Sequence, residues 1–102
     1  MAEVILLEGA EKDSLAIYFA LFEQDPSKAE LFSSAFDRAI SDIEQFPEIG
    51  KIFSGSFRRK LVPRFYEFGV FYVLEDSRTM VHAVLDLRQE PDRILSRLKR
   101  GI

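Results

Sequence analysis

The sequence has no cysteine in its 102 residues. That excludes disulfide frameworks, thiolate nucleophiles and cysteine-ligated zinc, and it suits a reducing compartment. There is one histidine, His82. No apolar run approaches the roughly 18–20 residues that span a membrane. Glu3 and Glu8 stand where a secretory leader would carry positive charge, so the expected setting is cytoplasmic. No repeat, linker or low-complexity stretch divides the chain, and its length fits one domain over residues 1–102. What is plentiful is apolar surface: 47% of the residues, ten of them phenylalanine. A chain of this size buries roughly two thirds of its unfolded surface, so a core needs no metal or disulfide to close it.

Charge is scarce in sum but uneven in place. Residues 1–50 carry 3 Lys and Arg against 11 Asp and Glu, a net of −8, while residues 51–102 carry 11 against 6, a net of +5. Together they give the −3 of the whole chain. Such a chain presents two different faces to partners, unless the halves neutralise each other where they pack.

The order of elements follows from spacing and punctuation. Val4 to Leu7 reads as a short buried strand between glutamates. From about Ala10 to Gln24 the spacing is helical, with Leu15, Tyr18 or Phe19, and Phe22 on one stripe. Asp25-Pro26 signals a second helix, since proline's missing N–H is not needed at the first helical position. That helix carries Phe32, Phe36, Ile40 and Ile43 on a core-facing stripe and ends before Pro47. After Gly50 come strands. Phe57 to Val62 is either ended by Pro63 or marked by it as an edge strand, and Phe68 to Leu74 is apolar on both alternations, as in a central strand covered on both faces. Glu75 to Arg78 makes a hairpin turn. Thr79 to Leu87 then alternates, with Val81, Ala83, Leu85 and Leu87 on one face and Met80, His82, Val84 and Asp86 on the other. Glu90-Pro91 opens a final helix with Ile94, Leu95 and Leu98. The expected fold is α+β: an N-terminal strand, a helical hairpin, a three-stranded antiparallel meander and a short C-terminal helix, β-α-α-β-β-β-α.

Within this frame the stretch Arg58 to Asp76 stands out for its cations. Alternation sends Arg58 and Lys60 to one face and Arg59 to the other, so they cannot all serve one site. Arg64 follows the strand, and Arg88 lies close if the sheet is antiparallel. Arg93, Arg97 and Arg100 form a stripe on the last helix. These cations read either as a charged, non-aggregating edge or as a patch for an acidic partner. Phe19, Phe22, Phe32, Phe36 and Phe46 exceed what two helices need to cover one sheet face. Most belong to the core, and one or two are free to line a groove for a partner helix.

Taken in order, these pieces resemble the ParE/RelE superfamily of toxins from type II toxin–antitoxin systems, also called plasmid stabilisation proteins. "FPEIG" is similar to the family's Leu-x-x-x-Pro-x-x-Gly, and "RRKL" to its Arg-x-Leu strand, with Arg59 the matching arginine. "FGVFYVLED" is similar to its apolar strand and hairpin, and "VHAVLDLRQEP" to the strand that in many members ends in His-x-x-Arg. The resemblance implies the α+β fold above, a cognate antitoxin as partner, and no cofactor or metal. It also implies one of two activities: RelE-like members cut messenger RNA on ribosomes, and ParE-like members are thought to poison DNA gyrase.

Metal-free RNA cleavage needs a base, an acid and cations around the phosphate, and a basic surface favours RNA affinity. Here His82 sits mid-strand, Asp86 stands where the family often has histidine, and the tail "RLKRGI" lacks tyrosine. Tyr72 reads as core, and the sequence pI is about 5.2. The ParE-like branch is therefore preferred, with partner or target contacts expected at Arg59, Lys60, Arg64, Arg88, Arg93, Arg97, Phe19 and Phe22. A RelE-like enzyme would instead use Arg58, Arg59, Arg64 and Tyr66, as an endoribonuclease. A third alternative is a degenerate member that binds its partner without toxicity. Direct nucleic-acid binding outside a complex, and membrane association, are not expected.

Overall fold

The computed structural model describes residues 3–100. Its elements are β1 (Glu3–Leu6), α1 (Glu8–Gln24), α2 (Pro26–Gln45), β2 (Lys51–Ser54), β3 (Phe57–Val62), β4 (Phe65–Glu75), β5 (Arg78–Asp86) and α3 (Pro91–Arg100). The expected order holds, and a four-residue strand, β2, is added ahead of the meander. Its sequence, Lys-Ile-Phe-Ser, is too short to show a period. The five strands form one sheet in the order β1-β5-β4-β3-β2. β1 lies at an edge, parallel to β5, and the other pairings are antiparallel.

β4 is central, and its apolar character on both alternations is explained by two separate cores. On one face α1 and α2 cover Val62, Phe65, Phe68, Val70, Tyr72, Val81 and Val84. On the other, α3 lays Ile94 and Leu98 on Phe71, Ala83 and Leu85, with Phe53 and Phe57 beside them. α2 supplies the anchor of the first core. Phe32 stacks on Phe36 and meets Phe65 and Phe68 edge-on, at centroid distances of 5.5 and 5.7 Å. Such aromatic pairs add about 0.5–1.5 kcal/mol each beyond area burial. The start signal of α2 is realised as expected. The Asp25 carboxylate accepts from the Ser27 amide at 3.0 Å and from its hydroxyl at 2.7 Å, which holds its pKa below the ordinary value.

One stripe is now placed and one alternation is corrected. In α1 the stripe of Leu15, Phe19 and Phe22 faces away from the core; Ala10 and Leu21 are the helix's buried residues, with Ile17 and Tyr18 packed partly against the core. The segment Leu15 to Phe22 is eight consecutive apolar or aromatic residues, so periodicity could not choose a face. In β5 the alternation breaks. The register passes from Phe71↔Ala83 to Tyr72↔Val81, leaving His82 as an extra residue in a β-bulge. Val81 therefore joins Val84 on the hairpin side, while Ala83 and Leu85 face α3.

Side chains also tie the layers. The Tyr72 hydroxyl donates to the Pro47 carbonyl and accepts from the Gly50 amide, both at 2.8 Å. A Cβ on Gly50 would lie 2.6 Å from that hydroxyl, which is why the turn after α2 ends in glycine. Burial raises the Tyr72 pKa. Asp13 of α1 receives the Arg97 guanidinium of α3 at 3.0 and 2.8 Å, and the Val84 amide at 2.9 Å.

Candidate functional site

The outer face of α1 is apolar and uncovered. Leu15, Phe19 and Phe22 are 55%, 59% and 46% exposed, whereas a helix that is apolar all round is ordinarily buried. Tyr18 lies among them, edge-on to Phe19 at 5.6 Å and stacked with Phe22 at 6.1 Å. Its hydroxyl donates to the Glu30 carboxylate of α2, a bond that raises the Tyr18 pKa and joins the two helices. Leu31 of α2 is also exposed. Of the five phenylalanines in the hairpin region, Phe32 and Phe36 are core; Phe19, Phe22 and Phe46 are not. The rim is acidic: Glu8, Glu11 and Glu23 are exposed on α1, and among the described residues only Glu8 of the three is paired, with Lys12 at 3.4 Å.

The expected cations do not form one cluster. Arg58 points to the hairpin side and donates to the backbone carbonyls of Gly50 and Glu48, at 2.8 and 3.3 Å. Lys60 shares that side, 3.9 Å from Asp42 and with little exposure. Arg59 faces the opposite side, its guanidinium 5.8 Å from the centre of the Phe53 ring. Arg64 adopts a left-handed backbone, φ 72°, in the turn after β3, beside Arg38 and Leu31. Tyr66 is exposed at the start of β4. Arg88 forks onto Asp86 at 3.0 and 2.6 Å, holding that carboxyl below its ordinary pKa. Arg93 and Arg100 line a hollow of about 570 Å³ between α3 and β5. Arg97 also lines it but is committed to Asp13.

One cation escaped the sequence reading. The β2–β3 register sets Lys51 directly opposite Arg59, and among the described residues neither is in an ion pair. Only the pairing of β2 reveals this. The charge asymmetry also survives folding: of the five ion pairs among the described residues, just two, Lys60–Asp42 and Arg97–Asp13, join the acidic half to the basic half.

Of the proton-transfer candidates, His82 packs edge-on against Phe57 at 5.1 Å, and burial lowers its pKa. Tyr72 is spent on the turn after α2. Arg58 and Arg59, on opposite faces, do not serve a common phosphate. The geometry offers an apolar, acid-rimmed helical face and a separate cationic sheet face. Both are surfaces on which another macromolecule can dock.

The comparisons agree with this architecture. Residues 4–91 match the model of the family described as the ParE toxin of type II toxin-antitoxin system, parDE. No curated protein sequence matches the chain. Among solved structures, a chain of the chromosomal ParDE TA system from P. aeruginosa superposes with a TM-score of 0.75 at 15% identity, covering 86% of this chain and 98% of that one. At that identity the superposition speaks for the fold, and the family match speaks for descent. The chain belongs to the ParE toxin family of type II toxin–antitoxin systems.

Proposed function

We propose that this ParE-family toxin is held inactive by a cognate antitoxin whose amphipathic helix covers the outer face of α1, and that its released form inhibits DNA gyrase. The single observation carrying the first part is the exposure of Leu15, Phe19 and Phe22 on a helix with eight consecutive apolar or aromatic residues. Helix-in-groove recognition uses anchors at this spacing. The acidic rim of Glu8, Glu11 and Glu23 matches cations flanking the partner's apolar stripe. The gyrase part rests on membership of the ParE branch and on the dispersal of the groups that RNA cleavage would need.

Co-expression with the neighbouring reading frame tests the first part. A stable complex is expected, and Phe19→Asp with Phe22→Asp should abolish it while leaving the circular dichroism of the toxin unchanged. An equally tight complex with both substitutions rules out this surface. A supercoiling assay tests the second part: no inhibition at large molar excess removes the gyrase claim. Transcripts cut at ribosomes, with the cutting lost in Arg59→Ala, would put the endoribonuclease reading in its place. Normal growth on expression without the antitoxin would mark a non-toxic member.

A further inference from the structure

We propose that the open edge of β2 accepts an extended segment of the antitoxin as a sixth strand, with apolar and acidic residues alternating along it. The proposal rests on the antitoxin reading above, but it concerns a different surface. β2 ends the sheet and pairs only with β3, so the outer backbone groups of Lys51–Ser54 have no strand partner. Proteins guard such edges with charge, proline, bulges or a covering element. Here the guard is partial. Lys51 and a register shift between Ile52 and Ser54 are present, yet Ile52 is 66% exposed, the most exposed large apolar residue among those described.

The two sides of this edge ask for different side chains. Ile52 lies opposite Arg58, whose guanidinium reaches the carbonyls of Glu48 and Gly50, so Ile52 points to the side of that turn. There Phe46 and Ile49, 63% and 43% exposed, line a hollow of about 420 Å³ with Pro47 and Leu74. On the other side stand Lys51 and Arg59, directly opposite each other and without a carboxylate partner among the described residues. Like charges in that position destabilise a sheet. A strand added to β2 alternates its side chains between the two sides. Its apolar residues would meet Ile52 and the hollow, and its acidic residues would relieve Lys51 and Arg59.

Charge selects this occupant over a second copy of the chain. Edge-to-edge pairing of two copies would bring two Lys51–Arg59 pairs together at one seam. Four residues also fall far short of the roughly 800 Å² per partner of a standard interface. A segment already tethered through α1 needs no such area, because its local concentration is high.

Amide hydrogen exchange on the free toxin and on its complex with the co-purified antitoxin reads the strand directly. Protection should rise at least about tenfold, in the complex only, at those amides of Lys51–Ser54 that point away from β3. Lys51→Glu should weaken the complex about tenfold, more at low salt, whereas the exposed α3 control Lys99→Glu should not. Unchanged exchange at β2, in a complex still broken by the Phe19 and Phe22 substitutions, overturns the strand and leaves the α1 reading standing. Absence of any complex overturns both. A free toxin that sediments as a dimer with β2 protected assigns the edge to a second copy instead.

Discussion

α1 and α2 are neighbours in one hairpin, yet they do different work. α2 buries Ala29, Phe32, Ala35, Phe36, Ala39 and Ile43 along a clean stripe and turns polar groups outward. α1 is apolar almost all round in its second half, but among its residues only Ala10 and Leu21 are buried. A helix needs one apolar stripe to hold a fold. The second stripe on α1 adds nothing to the isolated domain and exposes aromatic surface to water. The difference separates residues that hold the fold together from residues left free for the docking proposed above.

The largest effect that would break this comparison is in the core. Phe32→Ala should cost about 3–5 kcal/mol in urea unfolding, since it leaves a cavity among Phe36, Phe65 and Phe68. Phe19→Ala, an identical truncation on the other helix, should change stability by no more than about 0.5 kcal/mol. By calorimetry with the antitoxin it should nevertheless lose about 2 kcal/mol of binding, the range of an aromatic hot spot. Equal stability losses at the two positions would erase the distinction. Tyr72→Phe should cost an intermediate ~1–3 kcal/mol, because the Gly50 amide and Pro47 carbonyl lose their partner in a crowded turn.

The smallest effect concerns pH. Burial keeps the His82 pKa below 6.5, so the folded protein holds a neutral ring where the unfolded chain takes up a proton. Stability should therefore fall as pH drops below about 6.5, a slope that His82→Leu should flatten in denaturation midpoints taken across that range. Asp25 and Asp86, whose pKa values are lowered, act in another window. Their contribution is complete above about 3.8, the unfolded carboxyl value, and is lost only at lower pH.

Much of the fold was legible because the prolines and the α2 stripe carry local physics. Asp25-Pro26 starts a helix, Pro47 follows its end, Pro63 closes β3 and Pro91 opens α3. The turn between β4 and β5 also fell where expected, with Asp76 in a left-handed conformation. What escaped was whatever depends on pairing across the chain. Eight apolar residues in α1 carry no face, and a bulge at His82 is invisible until Phe71 and Tyr72 choose their partners. The opposition of Lys51 and Arg59 exists only in the β2–β3 register. For the site, the sequence pointed to Phe19 and Phe22 as surplus aromatics on one stripe, without saying which way that stripe faced. It pooled arginines that the structure divides between internal ties, as at Arg58 and Arg97, and the open surface, as at Arg93.

The Arg97–Asp13 tie joins residues 84 positions apart, and β1 waits for β5 to lie beside it. The α1–α2 hairpin needs only its own neighbours in sequence, and local contacts form before distant ones. As the chain leaves the ribosome, the hairpin can assemble while the sheet still lacks its last strand and α3. On the docking proposed above, a resident antitoxin would meet the hairpin on the nascent chain before the cationic half is complete.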